Sequence, residues 1–107
     1  MYMIMHLIAE KYLDDVLMAL LEAGVENTLV LSGENMSHKL TFDMPIFAGF
    51  RNLTGGHGYG KLIMGFAKKK QVDFALEELQ HSGIDLLKDN FAEIAIIPVE
   101  HFYRGDE

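Results

Sequence analysis

The sequence predicts an α+β sandwich, an antiparallel four-stranded sheet with two helices on one face. Three observations carry that prediction. Two stretches of the chain repeat the order strand, helix, glycine, strand. The apolar residues of each helix recur at the i, i+3, i+4, i+7 spacing of one buried stripe. The flanking strands are short apolar runs of the length that a sheet uses.

The elements follow in chain order. Met3 to Ala9 is an apolar run with helix signals directly behind it. Leu13, Val16, Leu17, Leu20 and Leu21 form the stripe of the first helix. Gly24 ends it, because glycine accepts the left-handed conformation that follows a helix. Asn27 to Leu31 reads as the second strand. The pattern then returns. Leu62 to Ala67 is a second apolar run, and Val72, Ala75, Leu76 and Leu79 stripe a second helix that Gly83 ends. Leu13 corresponds to Val72, Val16 to Ala75, Leu17 to Leu76, Leu20 to Leu79, Gly24 to Gly83 and Val25 to Ile84. Phe91 to Val99 is the last strand, closed by Pro98. This order is the βαββαβ arrangement of the ferredoxin-like fold, in a single domain spanning residues 1–107.

Two helices cover one face of such a sheet, so the other face should carry polar residues at alternate positions. It does not. Met1, Met3, Met5 and Leu7 fall on one side of the first strand and Ile4 and Ile8 on the other, with His6 polar among them. Ala92, Ile94 and Ile96 oppose Ala95, Ile97 and Val99. Strands apolar on both sides imply burial on both sides, and the second cover is expected to be another copy of the chain. Glu at Met3 or Ile96 is then expected to dissociate or unfold the assembly.

Composition narrows the class. Half of the residues are apolar and 23% are charged, the balance of a globular protein and not of a disordered one. The net charge of −7 lacks the basic footprint of a nucleic-acid binder, so no nucleic-acid partner is expected. No apolar run reaches the roughly 18 residues of a membrane span. No Lys or Arg precedes the apolar start, which leads into a helical pattern, so a signal peptide is not expected. The chain has no cysteine. That removes disulfides, thiolate metal sites and cysteine nucleophiles, and a cytoplasmic location is the expectation.

Between the halves the periodicity fades, and six of the ten glycines fall between Leu31 and Lys61. An insertion of about residues 33–60 is long enough to be functional. It contains Met44, Ile46, Phe47 and Phe50, too apolar for a mere tether. It extends the hairpin, packs on a neighbour or docks into a partner. Met44, Phe47, Phe50 and Arg51 are the candidate partner contacts. Gly55 to Lys61 fits the spacing G-x-x-x-x-G-K, but Leu62 stands where a phosphate-binding loop needs Ser or Thr, and a strand follows in place of a helix. A flexible loop entry is the better reading. The five histidines share no i, i+2 or i+4 spacing, so no metal-ligand pair is visible. No nucleophile, base and orienting group can be assembled, and no catalytic residue is assigned.

Tyr12-Leu13-Asp14-Asp15-Val16, Ala19 to Val25 and Thr28 resemble the first helix and second strand of the PII signal-transduction proteins. Ile97-Pro98-Val99-Glu100, with Arg104 behind it, resembles their ending. Residues 33–60 fall where that family has its T-loop. The resemblance implies a ferredoxin-like homotrimer whose T-loops control a partner protein in response to nucleotide bound between subunits. It implies Thr28, Gly33, Lys88 and Arg104 as ligand contacts.

The chain also departs from the family. The glycine-rich, lysine-bearing loop that cradles phosphates is replaced by Asp85-Leu86-Leu87-Lys88-Asp89-Asn90-Phe91. The T-loop base reads Gly33-Glu34-Asn35-Met36 where the family carries glycine, arginine and glutamine. Tyr59, the one loop tyrosine, stands near the far end, away from the family's modified position. The expectation is a divergent, non-enzymatic PII-like regulator that senses a small-molecule effector and does not bind ATP tightly. Two alternatives stand beside it. One is a trimeric metal-handling protein like the CutA group, which clustered histidines would favour. The other is a small enzyme with a site between subunits, which a cleft of perturbed acids would favour.

Overall fold

A computed structural model describes residues 1–34 and 59–105. Its elements are β1 (Tyr2–Leu7), a 3-10 turn (Glu10–Tyr12), α1 (Leu13–Glu22), β2 (Glu26–Glu34), β3 (Tyr59–Phe66), α2 (Lys69–His81) and β4 (Ala92–Ile97). The strands form one antiparallel sheet in the order β2-β3-β1-β4. The fold is α+β and ferredoxin-like.

The repeat seen in the sequence is a repeat of one helix-stopping device. At the end of α1, the Gly24 N–H donates to Leu21 O and the Val25 N–H to Leu20 O, both at 3.0 Å. At the end of α2, the Gly83 N–H donates to Gln80 O at 2.9 Å and the Ile84 N–H to Leu79 O at 2.8 Å. Each is a Schellman motif, with its glycine at positive φ, +87° and +84°. In each the residue after the glycine returns to the core beside the leucine whose carbonyl it caps. Gln71 ties the start of α2 to the end of α1. Its Oε1 accepts from the Lys68 N–H at 2.8 Å, and its Nε2 donates to Gly24 O at 3.1 Å. Alanine at either glycine is therefore expected to cost about 1–2 kcal/mol in left-handed strain. Gly24→Ala should cost more than Gly83→Ala. Its methyl would meet Gln71 Nε2 at 3.3 Å, whereas nothing lies within 4 Å at Gly83. Urea unfolding of the two variants checks the order.

The helices lie on one face of the sheet. Met3, Met5 and Leu7 of β1 and Ile63 of β3 are buried against Val16, Ala19 and Leu20 of α1 and Val72, Ala75 and Leu79 of α2. Leu86, from the turn before β4, closes the cluster. Two sequence expectations shift here. Leu21 is not in the core but 69% exposed. A residue one step round from Leu20 turns past the sheet, and Ala19 takes its place. Met3 and Ile96 both pack on the helix side, so a charge at either would disrupt the core of the chain and not test the other face.

Boundaries differ as well. A 3-10 turn separates β1 from α1, with Tyr12 packed on Phe91 at 5.2 Å between ring centres. β2 and β3 run further toward the insertion than their apolar runs suggest, held by the pairs Ser32–Lys61, Gly33–Gly60 and Glu34–Tyr59. β2 also carries an irregularity between Glu26 and Leu29. There Asn27 takes φ +54°, a conformation asparagine tolerates better than most residues.

Candidate functional site

The face of the sheet away from the helices is built in rows of cross-strand neighbours. Leu29, Met64, Ile4 and Ala95 form one row, and Leu31, Leu62, His6 and Glu93 the next. Phe66, Tyr2 and Ile97 form a third. The polar members of these rows are His6 and Glu93, with Nδ1 and Oε2 4.0 Å apart. The segment after β4 folds back over the last row. Phe102 lies 4.3 Å from Phe66 between ring centres, and Tyr2 meets the same ring edge-on at 5.0 Å. Leu29 remains 53% exposed, Leu31 45% and Ile97 44%. The alternation that a solvated face needs is missing in space as it is in the sequence.

The four ligand residues implied by the resemblance fall in two places. Gly33 stands opposite Gly60 at the end of the sheet where the insertion begins. Lys88 is at that same end, on the turn that leads into β4, with its side chain exposed. Thr28 lies toward the opposite end, on the helix side over Gly65. Arg104 is also at the opposite end, its guanidinium carbon 5.2 Å from the centre of the Phe102 ring. It lines a hollow with Glu26, Lys68 and Gln71. The partner-contact candidates Met44, Phe47, Phe50 and Arg51 lie outside the described residues.

The turn at Lys88 is closed on itself. The Lys88 N–H donates to Asp85 Oδ1 at 3.1 Å. The N–H groups of Asp89, Asn90 and Phe91 donate to Asp85 O, Leu87 O and Leu86 O at 3.2, 3.2 and 2.8 Å. Asn90 sits at φ +58°, and buried Leu86 anchors the turn. Four consecutive amides are thus spent inside the turn, where a phosphate cradle would present them outward. Lys61, the last residue of the G-x-x-x-x-G-K match, lies in β3 and donates to Ser32 Oγ at 2.6 Å. A phosphate-binding loop would place it at a helix start.

A further pair was not singled out by the sequence. α1 and α2 run side by side in opposite directions, and Glu22 and Glu78 meet between them. A side-chain hydrogen bond with Glu22 raises the Glu78 pKa above its ordinary value, with partial desolvation and the Glu22 charge adding to the shift. Nothing in the spacing of these two acids shows that two helices bring them together. The sign of the linkage is definite. Raising the folded pKa penalises the folded state above that pKa and relieves it as pH falls toward the unfolded value. Glu22→Gln is expected to be more stable than the native chain at about pH 7, with the difference closing toward about pH 4. Urea unfolding at the two pH values measures it.

Among the described residues no group of three or more His, Asp or Glu is placed to hold a metal ion, and no helix is long and apolar enough to cross a membrane. Neither a protein-family model nor a curated protein sequence matches this chain.

Proposed function

We propose that the chain is a PII-like regulatory subunit. It assembles as a homotrimer through the open sheet face, senses a small ligand between subunits, and controls a partner protein through residues 33–60. The observation that carries this reading is the open face itself. Among the described residues no element covers the row Leu29, Met64, Ile4 and Ala95 or Leu31 and Leu62 beside it, and a second sheet of the same kind is the simplest surface that matches them. The positions of the candidate ligand residues fit the same picture. Gly33 and Lys88 stand at one end of the sheet, Thr28 and Arg104 toward the other, so a site using both pairs takes them from neighbouring subunits. The ligand is smaller or less charged than a nucleoside triphosphate, because the Lys88 turn keeps its amides for itself.

A thermal-shift screen tests the sensing role, since a ligand specific for the folded state raises its melting temperature by mass action. The expected result is a stabilising small acid or mononucleotide whose effect is lost in both Arg104→Ala and Lys88→Ala. Stabilisation that survives both substitutions would place the site elsewhere.

A further inference from the structure

We propose that Phe102 is a positioning residue that holds the Arg104 guanidinium over the hollow at the start of α2, where it takes the oxyanion group of a small ligand. The inference rests on the reading of Arg104 as a ligand contact. It adds to that reading the residue that aims the guanidinium, and it does not depend on the trimer.

The hollow holds about 420 Å³ between the end of β3, the start of α2 and the turn from α1 into β2. Phe66 gives it an apolar wall, and Glu26, Asn27, Lys68, Gln71 and Arg104 bring polar groups to it. Gln71 is committed at both ends of its amide, accepting from the Lys68 N–H and donating to Gly24 O. It fixes the wall and leaves the binding to its neighbours. Lys68 and Arg104 line the hollow against Glu26, so the lining is net positive in a chain whose net charge is −7. An anion is the charge type that such a lining favours.

Arg104 stands on an exposed segment beyond β4, with no helix or strand to hold it. A run of rings does so instead. Tyr2 meets Phe66 edge-on at 5.0 Å, Phe66 meets Phe102 at 4.3 Å, and the Arg104 guanidinium carbon lies 5.2 Å from the centre of the Phe102 ring. Tyr2 and Phe66 are cross-strand partners in β1 and β3, so the run is anchored in the sheet. Phe66 belongs both to the run and to the wall of the hollow, which fixes the guanidinium relative to the site. Stacking uses the flat face of a guanidinium and not its N–H edge, the edge that binds a carboxylate or phosphate. A long side chain ordered beforehand loses less freedom when the ligand arrives. Tyr103 supplies the contrast within the same segment. It is 89% exposed and takes no part in the run.

The test titrates the full chain with inorganic phosphate and follows the Arg104 Nε–H and the Lys68 amide by NMR. In the native protein the Arg104 Nε–H is expected to carry an upfield ring-current shift and to move with the Lys68 amide as phosphate is added. Phe102→Leu still covers Phe66 but offers no π-face. It should lose the ring-current shift and weaken phosphate about two- to fivefold. Phe102→Tyr should keep both, and Tyr103→Leu should change neither. Phosphate affinity unchanged in Phe102→Leu, with only its melting temperature lowered, would make the ring a packing element and overturn the positioning role. So would a native Arg104 Nε–H without the ring-current shift. Phosphate that leaves Arg104 and Lys68 unmoved in the native protein, or binds Arg104→Ala equally well, would refute the ligand contact itself and the positioning role with it.

Discussion

If copies of the chain meet through the open face as proposed, Glu in place of Ile4 or Met64 is expected to leave a folded monomer. The two residues are cross-strand partners at the middle of the open face, and both are half-buried within one copy. A carboxylate there reaches water in the isolated subunit, so the fold tolerates it. In an assembly it would be buried without a partner in every subunit, and a buried unpaired charge is among the largest single penalties a protein meets. Met5 supplies the contrast. It is adjacent to Ile4 in sequence but points at the helices and is 2% exposed, so Met5→Glu is expected to unfold the chain outright. Sedimentation and far-UV circular dichroism separate the outcomes. A Met64→Glu protein with native mass and native melting temperature would show that the open face is not where copies meet.

Calorimetry with ATP and magnesium is expected to show no micromolar binding. A triphosphate site needs several charge-assisted hydrogen bonds, each worth about 1.5–3 kcal/mol. The Lys88 turn spends its four amides internally, and the insertion base carries Glu34 beside Gly33 where the PII family has a basic residue. Losing two such contacts costs about 3–6 kcal/mol, which takes a micromolar site to the millimolar range or beyond. The net charge of −7 opposes a triphosphate further at long range. A micromolar dissociation constant that weakens in Arg104→Ala would overturn this. It would mean that neighbouring subunits rebuild a phosphate site from residues far apart in one chain.

Periodicity made the frame legible because it reports burial, and burial is what builds a ferredoxin-like sandwich. Val16 with Ala75 and Leu20 with Leu79 occupy matching buried positions, and Gly24 with Gly83 are the same left-handed stop. The apolar character of the face away from the helices was legible for the same reason, since β1 and β4 are apolar on both sides. Three things were not legible. Which side Met3 and Ile96 face depends on which rows the helices cover, and two apolar faces look alike in a sequence. The end of β2 is held by backbone pairing at Gly33 and Gly60, where no side-chain pattern exists to be read. The Glu22–Glu78 contact and the return of Phe102 onto Phe66 join residues distant in the chain, so no spacing rule reports them. The resemblance to PII proteins named Thr28, Gly33, Lys88 and Arg104 one at a time, and only the fold shows that they stand at opposite ends.

The mass of the native chain in solution tests the central claim most directly. Sedimentation equilibrium at micromolar concentration should give three times the 12.1 kDa of one chain, with no monomer until the open face is charged. A monomeric mass for the native protein would contradict the account, because an exposed apolar sheet face would then have no copy to cover it.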